Sequence, residues 1–201
     1  MSDRVMLQSK LPVGAIDTRA SGWWAMIFVI FTEGALFAYL LFSYYYVAVQ
    51  PHPYGNWPDG GVPSFKLALP NTIILLLSSV AIYWGERGRR RGSNPQLVTG
   101  LALGLILGIA FLVIQYFEWS EKMFTLSSSL YGSFFFTITG FHMMHVMAGV
   151  IGLTGMLIWS INGYFDRVRY APIQIGSLYW HFVDAVWLCV FFTFYIAPRL
   201  G

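Results

Sequence analysis

Five long apolar runs, at about residues 22–49, 67–86, 96–119, 129–161 and 173–197, constrain this chain more than any other feature of it. Each is near or above the ~20 residues that a helix needs to cross a hydrocarbon core. Lipid offers no partners to backbone N–H and C=O groups, so a spanning segment must pair its own, which a helix does. Charge content agrees: 10% of the 201 residues are Asp, Glu, Lys or Arg, against about 25% in soluble domains. The expected fold is all-α and polytopic, a five-helix transmembrane bundle over 22–201 preceded by a polar cytoplasmic tail at 1–21. A soluble catalytic domain finds no room in that plan, and nothing suggests a nucleic-acid partner.

The apolar run after the tail is too long for a cleavable signal, so the tail is expected to be retained. The single Cys189 falls in the last run. One cysteine excludes an internal disulfide or a Cys cluster and reads as a small core residue. Residues 50–66 are rich in Pro and Gly and read as an exposed loop, with Pro70 in the first turn of span two. Glu86 to Arg91 reads as a dense basic turn. Gly100, Gly104 and Gly108 recur every four residues in span three, and Gly149, Gly152 and Gly155 lie in span four. Small residues in such stripes let membrane helices approach closely.

Basic residues set orientation. Arg4, Lys10 and Arg19, then Arg87, Arg89, Arg90 and Arg91, then Arg167 and Arg169 fall on one side; Lys66, Lys122 and Arg199 fall on the other. That imbalance puts the amino terminus inside and, after five crossings, the carboxyl terminus outside. The four arginines from Arg87 to Arg91 are then expected among anionic lipid headgroups.

Against this apolar background the ionisable residues inside the spans stand out. His181 and Asp184 lie three apart on the last run, on one helical face. A central Asp costs about 2.5–3.5 kcal/mol on insertion scales, so such residues turn toward protein and find partners there. The candidates are Glu33, the pair His142 and His145, and Gln115 with Glu118 at the outer end of span three. Glu33 lies eleven residues into its span, about 16 Å at 1.5 Å per residue, and His145, His181 and Asp184 fall at comparable depth. Four readings of this cluster stand together: mutual satisfaction that fixes helix register, a proton path, a metal or haem site, and an accessory subunit with a buried carboxylate. The metal reading lacks carboxylates, since only Glu33 and Asp184 stand level with the histidines and no Glu-x-x-His motif occurs.

The run Trp180-His181-Phe182-Val183-Asp184-Ala185-Val186-Trp187 resembles the carboxyl-terminal signature of subunit III of haem–copper terminal oxidases. Three other stretches match that family in order: Thr32-Glu33-Gly34-Ala35-Leu36-Phe37, Gln115-Tyr116-Phe117-Glu118-Trp119, and Tyr131-Gly132-Ser133-Phe134-Phe135 with Thr139 to Val146. Together they cover about residues 23 to 197 and resemble the short, five-helix bacterial form. One position departs: family members commonly have Gly where this chain has Met143, a side chain that would crowd a close helix contact or lipid groove.

The resemblance implies a non-redox accessory subunit of a proton-pumping cytochrome c or quinol oxidase in the bacterial inner membrane. It implies no catalytic or metal-ligating residue on this chain, with haem and copper held by partner subunits. The partners would be subunit I as main contact, subunit II and a small subunit IV, with structural phospholipids between the helices. Glu33 matches the family's carbodiimide-reactive glutamate, whose reaction needs a protonated acid. Glu33 is expected to hydrogen-bond His145 or His181, with Asp184 orienting its neighbour. A related accessory protein of nitric oxide reductases would share every motif, and a stand-alone membrane metalloenzyme is the third reading.

Overall fold

The computed structural model describes residues 21–51, 57–58, 61–165 and 171–200. The tail basics Arg4, Lys10 and Arg19, and Arg167 and Arg169 of the fourth connection, lie outside the described residues. Every regular element described is helical: α1 (Ser21–Ala48), α2 (Phe65–Arg90), α3 (Asn94–Ser120), α4 (Leu130–Ile161) and α5 (Ala171–Phe191). All five are long and apolar enough to cross a membrane, α5 together with the turns that continue it to Arg199.

Serine starts three of these helices. Ser64, Ser93 and Ser129 each stand in extended backbone and accept from an N–H in the first turn, at Lys66, Gln96 and Gly132. That satisfies a donor that the helix cannot pair itself. The Ser64 cap starts α2 at Phe65, so Pro70 lies inside the helix rather than in its first turn. Glu86 to Arg90, expected as a turn, is the last stretch of α2. The chain reverses instead at Gly92, where φ is +88° and a side chain would be strained. Its N–H bonds the Arg89 carbonyl at 2.8 Å.

Helices α2, α3, α4 and α5 pack in a ring, each against the next and α5 back against α2, while α1 lies outside against α5 and α4. Contacts between helix ends define the two ends of the bundle. Asn94 at the start of α3 donates to the Ser160 carbonyl at the end of α4, 3.1 Å away. At the other end Arg199 donates to the Pro63 carbonyl at 2.6 Å, and its guanidinium lies 3.9 Å above the Phe65 ring.

Glycine decides how closely the ring closes. A Cβ on Gly100 would meet the Gly85 Cα at 2.6 Å, so α2 and α3 touch backbone to backbone. Gly108 and Gly149 form the two walls of a slot for Trp180: a Cβ on either would meet its indole, at 2.6 and 2.8 Å. The indole N–H reaches Ser78 Oγ at 2.9 Å, so the largest side chain of α5 is both packed and bonded. Gly152 and Gly155 face open space, and their part of the stripe does no packing.

Past Phe191 the chain tightens into a π turn over Phe192–Ile196 and a 3-10 turn over Ala197–Arg199. The wider turn lets three consecutive residues, Thr193, Phe194 and Tyr195, all point inward. Cys189 corrects the expectation placed on it. Val186, Trp187, Val190 and Phe191 take the inward face of α5, which leaves the thiol exposed on the outer one.

Candidate functional site

The polar residues do not converge on one centre. They form separate contacts, each joining a different pair of helices.

On the α1–α4 seam, His145 Nε2 meets Glu33 Oε2 at 3.0 Å. His145 Nδ1 donates to its own helix at the Phe141 carbonyl, 2.7 Å away, so Nε2 serves Glu33 without competition. Phe37, one turn along α1 from Glu33, packs edge-on against the same imidazole at 5.1 Å between centroids. The Glu33 side chain remains 34% exposed and that of His145 14%. This contact therefore lies at the surface of the bundle, among apolar side chains.

His142, three residues earlier on α4, is fully buried and stands apart from Glu33's contact. Its ring lies 4.9 Å from the Trp187 indole and 5.8 Å edge-on from Phe111. Neither ring nitrogen finds a hydrogen-bond partner among the described residues. Met143, at the position where the family pattern has Gly, is half-buried.

On the α2–α5 seam, His181 and Asp184 share a partner that the sequence reading did not name. Ser79 Oγ bonds His181 Nδ1 at 2.9 Å and donates to Asp184 Oδ2. The pair was expected to turn to Glu33, to His142 and His145, or to Gln115 and Glu118. It turns to Ser79 because α2, rather than α1 or α3, faces that side of α5. Two serines side by side in the apolar run of α2 were the available signal, and a weak one, because serine satisfies itself within a helix easily.

Gln115 and Glu118 are buried rather than placed at an open rim. Gln115 Oε1 accepts from Asn71 at 3.3 Å. Glu118 Oε1 accepts from Lys122 Nζ at 2.9 Å and from the Tyr195 hydroxyl, with the ammonium 5.6 Å above the Tyr195 ring centre. Here the π turn has a purpose, since it brings Tyr195 inward onto Glu118. Of the arginines, Arg87, Arg90 and Arg91 are exposed and Arg90 pairs with Glu86 at 2.6 Å. Arg89 is buried, which removes it from a headgroup-facing set.

The three described histidines are thus engaged in three different ways, with a carboxylate, with a serine and with aromatic rings. Among the described residues no three His, Cys, Asp or Glu side chains come together in a metal-binding group.

A family model for cytochrome c oxidase subunit III matches residues 17–198. The chain belongs to the cytochrome c oxidase subunit III family. It is 34% identical to cytochrome c oxidase subunit 3 of Drosophila melanogaster over 86% of this chain and 68% of that protein. It is 36% identical to that of Oryctolagus cuniculus over the same shares. With that of Spodoptera frugiperda it shares 38% identity over 69% of this chain and 97% of the relative. The subunit III match spans all five helices, so the Glu33–His145 contact, the Ser79 contact and the Glu118 cluster all fall within it. The family and the five helices together make the chain a multi-pass membrane protein of an oxidase-subunit family.

Proposed function

We propose that this chain is the non-redox subunit III of a proton-pumping respiratory terminal oxidase in a bacterial cytoplasmic membrane. Haem and copper belong to its partners, subunit I above all, with subunit II and a small subunit IV beside it. The amino terminus lies inside, with Arg87, Arg90 and Arg91 at the inner headgroups. The chain contributes architecture, bound phospholipid and support for proton uptake.

The observation that carries this reading is the Glu33–His145 contact at 3.0 Å, partly open at the bundle surface. A carboxyl at that depth is tolerated when protein or lipid covers it. On the α1–α5 side Phe31, Ala35 and Ala38 of α1 and Phe182 of α5 line an apolar groove, which suits an acyl chain. The exposed aromatic and aliphatic faces of the helices suit lipid or neighbouring helices in the same way.

The test is purification of the chain from its own membrane in mild detergent. Co-elution with a larger haem-bearing subunit, with the visible spectrum belonging to that subunit, is the expected result. Co-elution with a nitric oxide reductase would move the chain to the alternative partner, and stoichiometric iron or copper on the isolated chain would end the accessory reading.

A further inference from the structure

The hydrogen bonds around His181 have a single direction. Asp184 Oδ2 accepts from the Ser79 hydroxyl, which uses the only proton that Ser79 has. Ser79 Oγ must then be the acceptor in its 2.9 Å contact with His181, and Nδ1 carries the proton. A neutral imidazole with Nδ1–H has its lone pair on Nε2, and that atom lies 3.3 Å from Ser177 Oγ, which donates to it. Donors thus follow one another from Ser177 through His181 and Ser79 to Asp184. The chain bridges two helices and stops at Asp184, whose other oxygen receives no hydrogen bond from the described residues.

Exposure is greatest in the middle of the chain, at His181 and Ser79, and not at its Ser177 end. Asp184 and Ser177 are buried, while His181 and Ser79 are half-buried at the outer side of the α2–α5 seam. Of the other charged groups and imidazoles on the helices packed against α5, Lys66, Arg87 and Arg89 lie on α2 toward its two ends, and the rest have partners of their own. Glu86 of α2 is paired with Arg90. Glu33 and His145 are bonded to each other, and His142 is enclosed by rings.

We propose that Ser177, His181, Ser79 and Asp184 form a proton relay that loads Asp184 from the His181 edge of the bundle. A proton from water at the half-buried His181 edge, arriving at Nε2, displaces the Nδ1 proton onto Ser79 Oγ. The proton that Ser79 held passes to Asp184 Oδ2. The outside donor loses one proton, Asp184 gains one, and His181 is left as its other tautomer. Rotation of the ring and of the hydroxyl restores the starting arrangement. Nothing is oxidised or reduced, and the relay ends within the chain instead of crossing it. Hydroxyl and imidazole groups suit this task because each both donates and accepts.

Time-resolved infrared spectroscopy of the intact purified complex after an acid jump reads the loading step, as the rise of a protonated-carboxyl band. The band should vanish in Asp184→Asn. Ser79→Ala should slow its rise roughly 100-fold, the scale on which a positioned proton carrier acts, and Ser79→Thr, which keeps the hydroxyl, should restore it. Should Ser79→Ala fail to assemble, His181→Gln reads the same step, because an amide keeps a polar contact without shuttling a proton. A band that survives in Asp184→Asn, or an unchanged rise in whichever of these variants assembles, overturns the relay.

Discussion

Glu33 on α1 and His145 on α4 meet at 3.0 Å across a seam that few other contacts hold. Of α1's residues only Phe37 and Tyr44 are buried, so this helix owes its attachment to a short stripe of side chains, with polar contacts from Glu33 to His145 and from Tyr45 to Thr193. His145→Ala removes the partner and should lower stability by about 1 kcal/mol, the scale of interhelical hydrogen bonds in membranes. Thermal unfolding in detergent measures it. The loss should shrink when Glu33→Gln is added, because the unpaired acid is then gone.

The Trp180 slot separates glycines that matter from glycines that do not. Gly149→Val drives a branched side chain into the indole, which a Cβ alone would already approach at 2.8 Å. The expected cost is about 1–3 kcal/mol, the usual range for overpacking. Gly152→Val, three residues along the same helix with nothing within 4 Å, should leave the unfolding temperature where it was or raise it slightly.

Glu118 and Lys122 form a largely buried ion pair, with side chains 4% and 10% exposed. Lys122→Met strands the carboxylate with only the Tyr195 hydroxyl and should destabilise by about 3–5 kcal/mol. The double variant Glu118→Gln with Lys122→Met should recover much of that, since no buried charge is left alone. Unfolding of the three proteins side by side measures the difference.

Much of the architecture was legible before any coordinates, for a physical reason. A chain that places 57% hydrophobic residues in five long runs has one economical fold in lipid. Glu33 was legible because a lone acid in such a run needs a partner, and depth counted in residues put it level with His145. What failed was helical phase. Cys189 and the buried Val190 are neighbours in equally apolar sequence, so composition cannot tell which faces the core. Ser79 was missed because a serine within a helix can satisfy itself, as Ser78 partly does at the Leu75 carbonyl. The π turn that brings Tyr195 onto Glu118 leaves no mark in composition at all. Arg89 was read with its neighbours as headgroup-facing, yet the helix continues through it and turns it inward.

Labelling with a hydrophobic carbodiimide tests the central claim, that Glu33 is an acid held at the lipid-facing surface of the bundle. The reagent partitions into the membrane and reacts with protonated carboxyls it can reach. Peptide mass mapping of the labelled complex should find the adduct on Glu33, whose side chain is 34% exposed, and not on the buried Glu118. The adduct should disappear in a Glu33→Ala protein that still assembles. Labelling of equal extent in that variant, or an adduct confined to Glu118, would contradict the account.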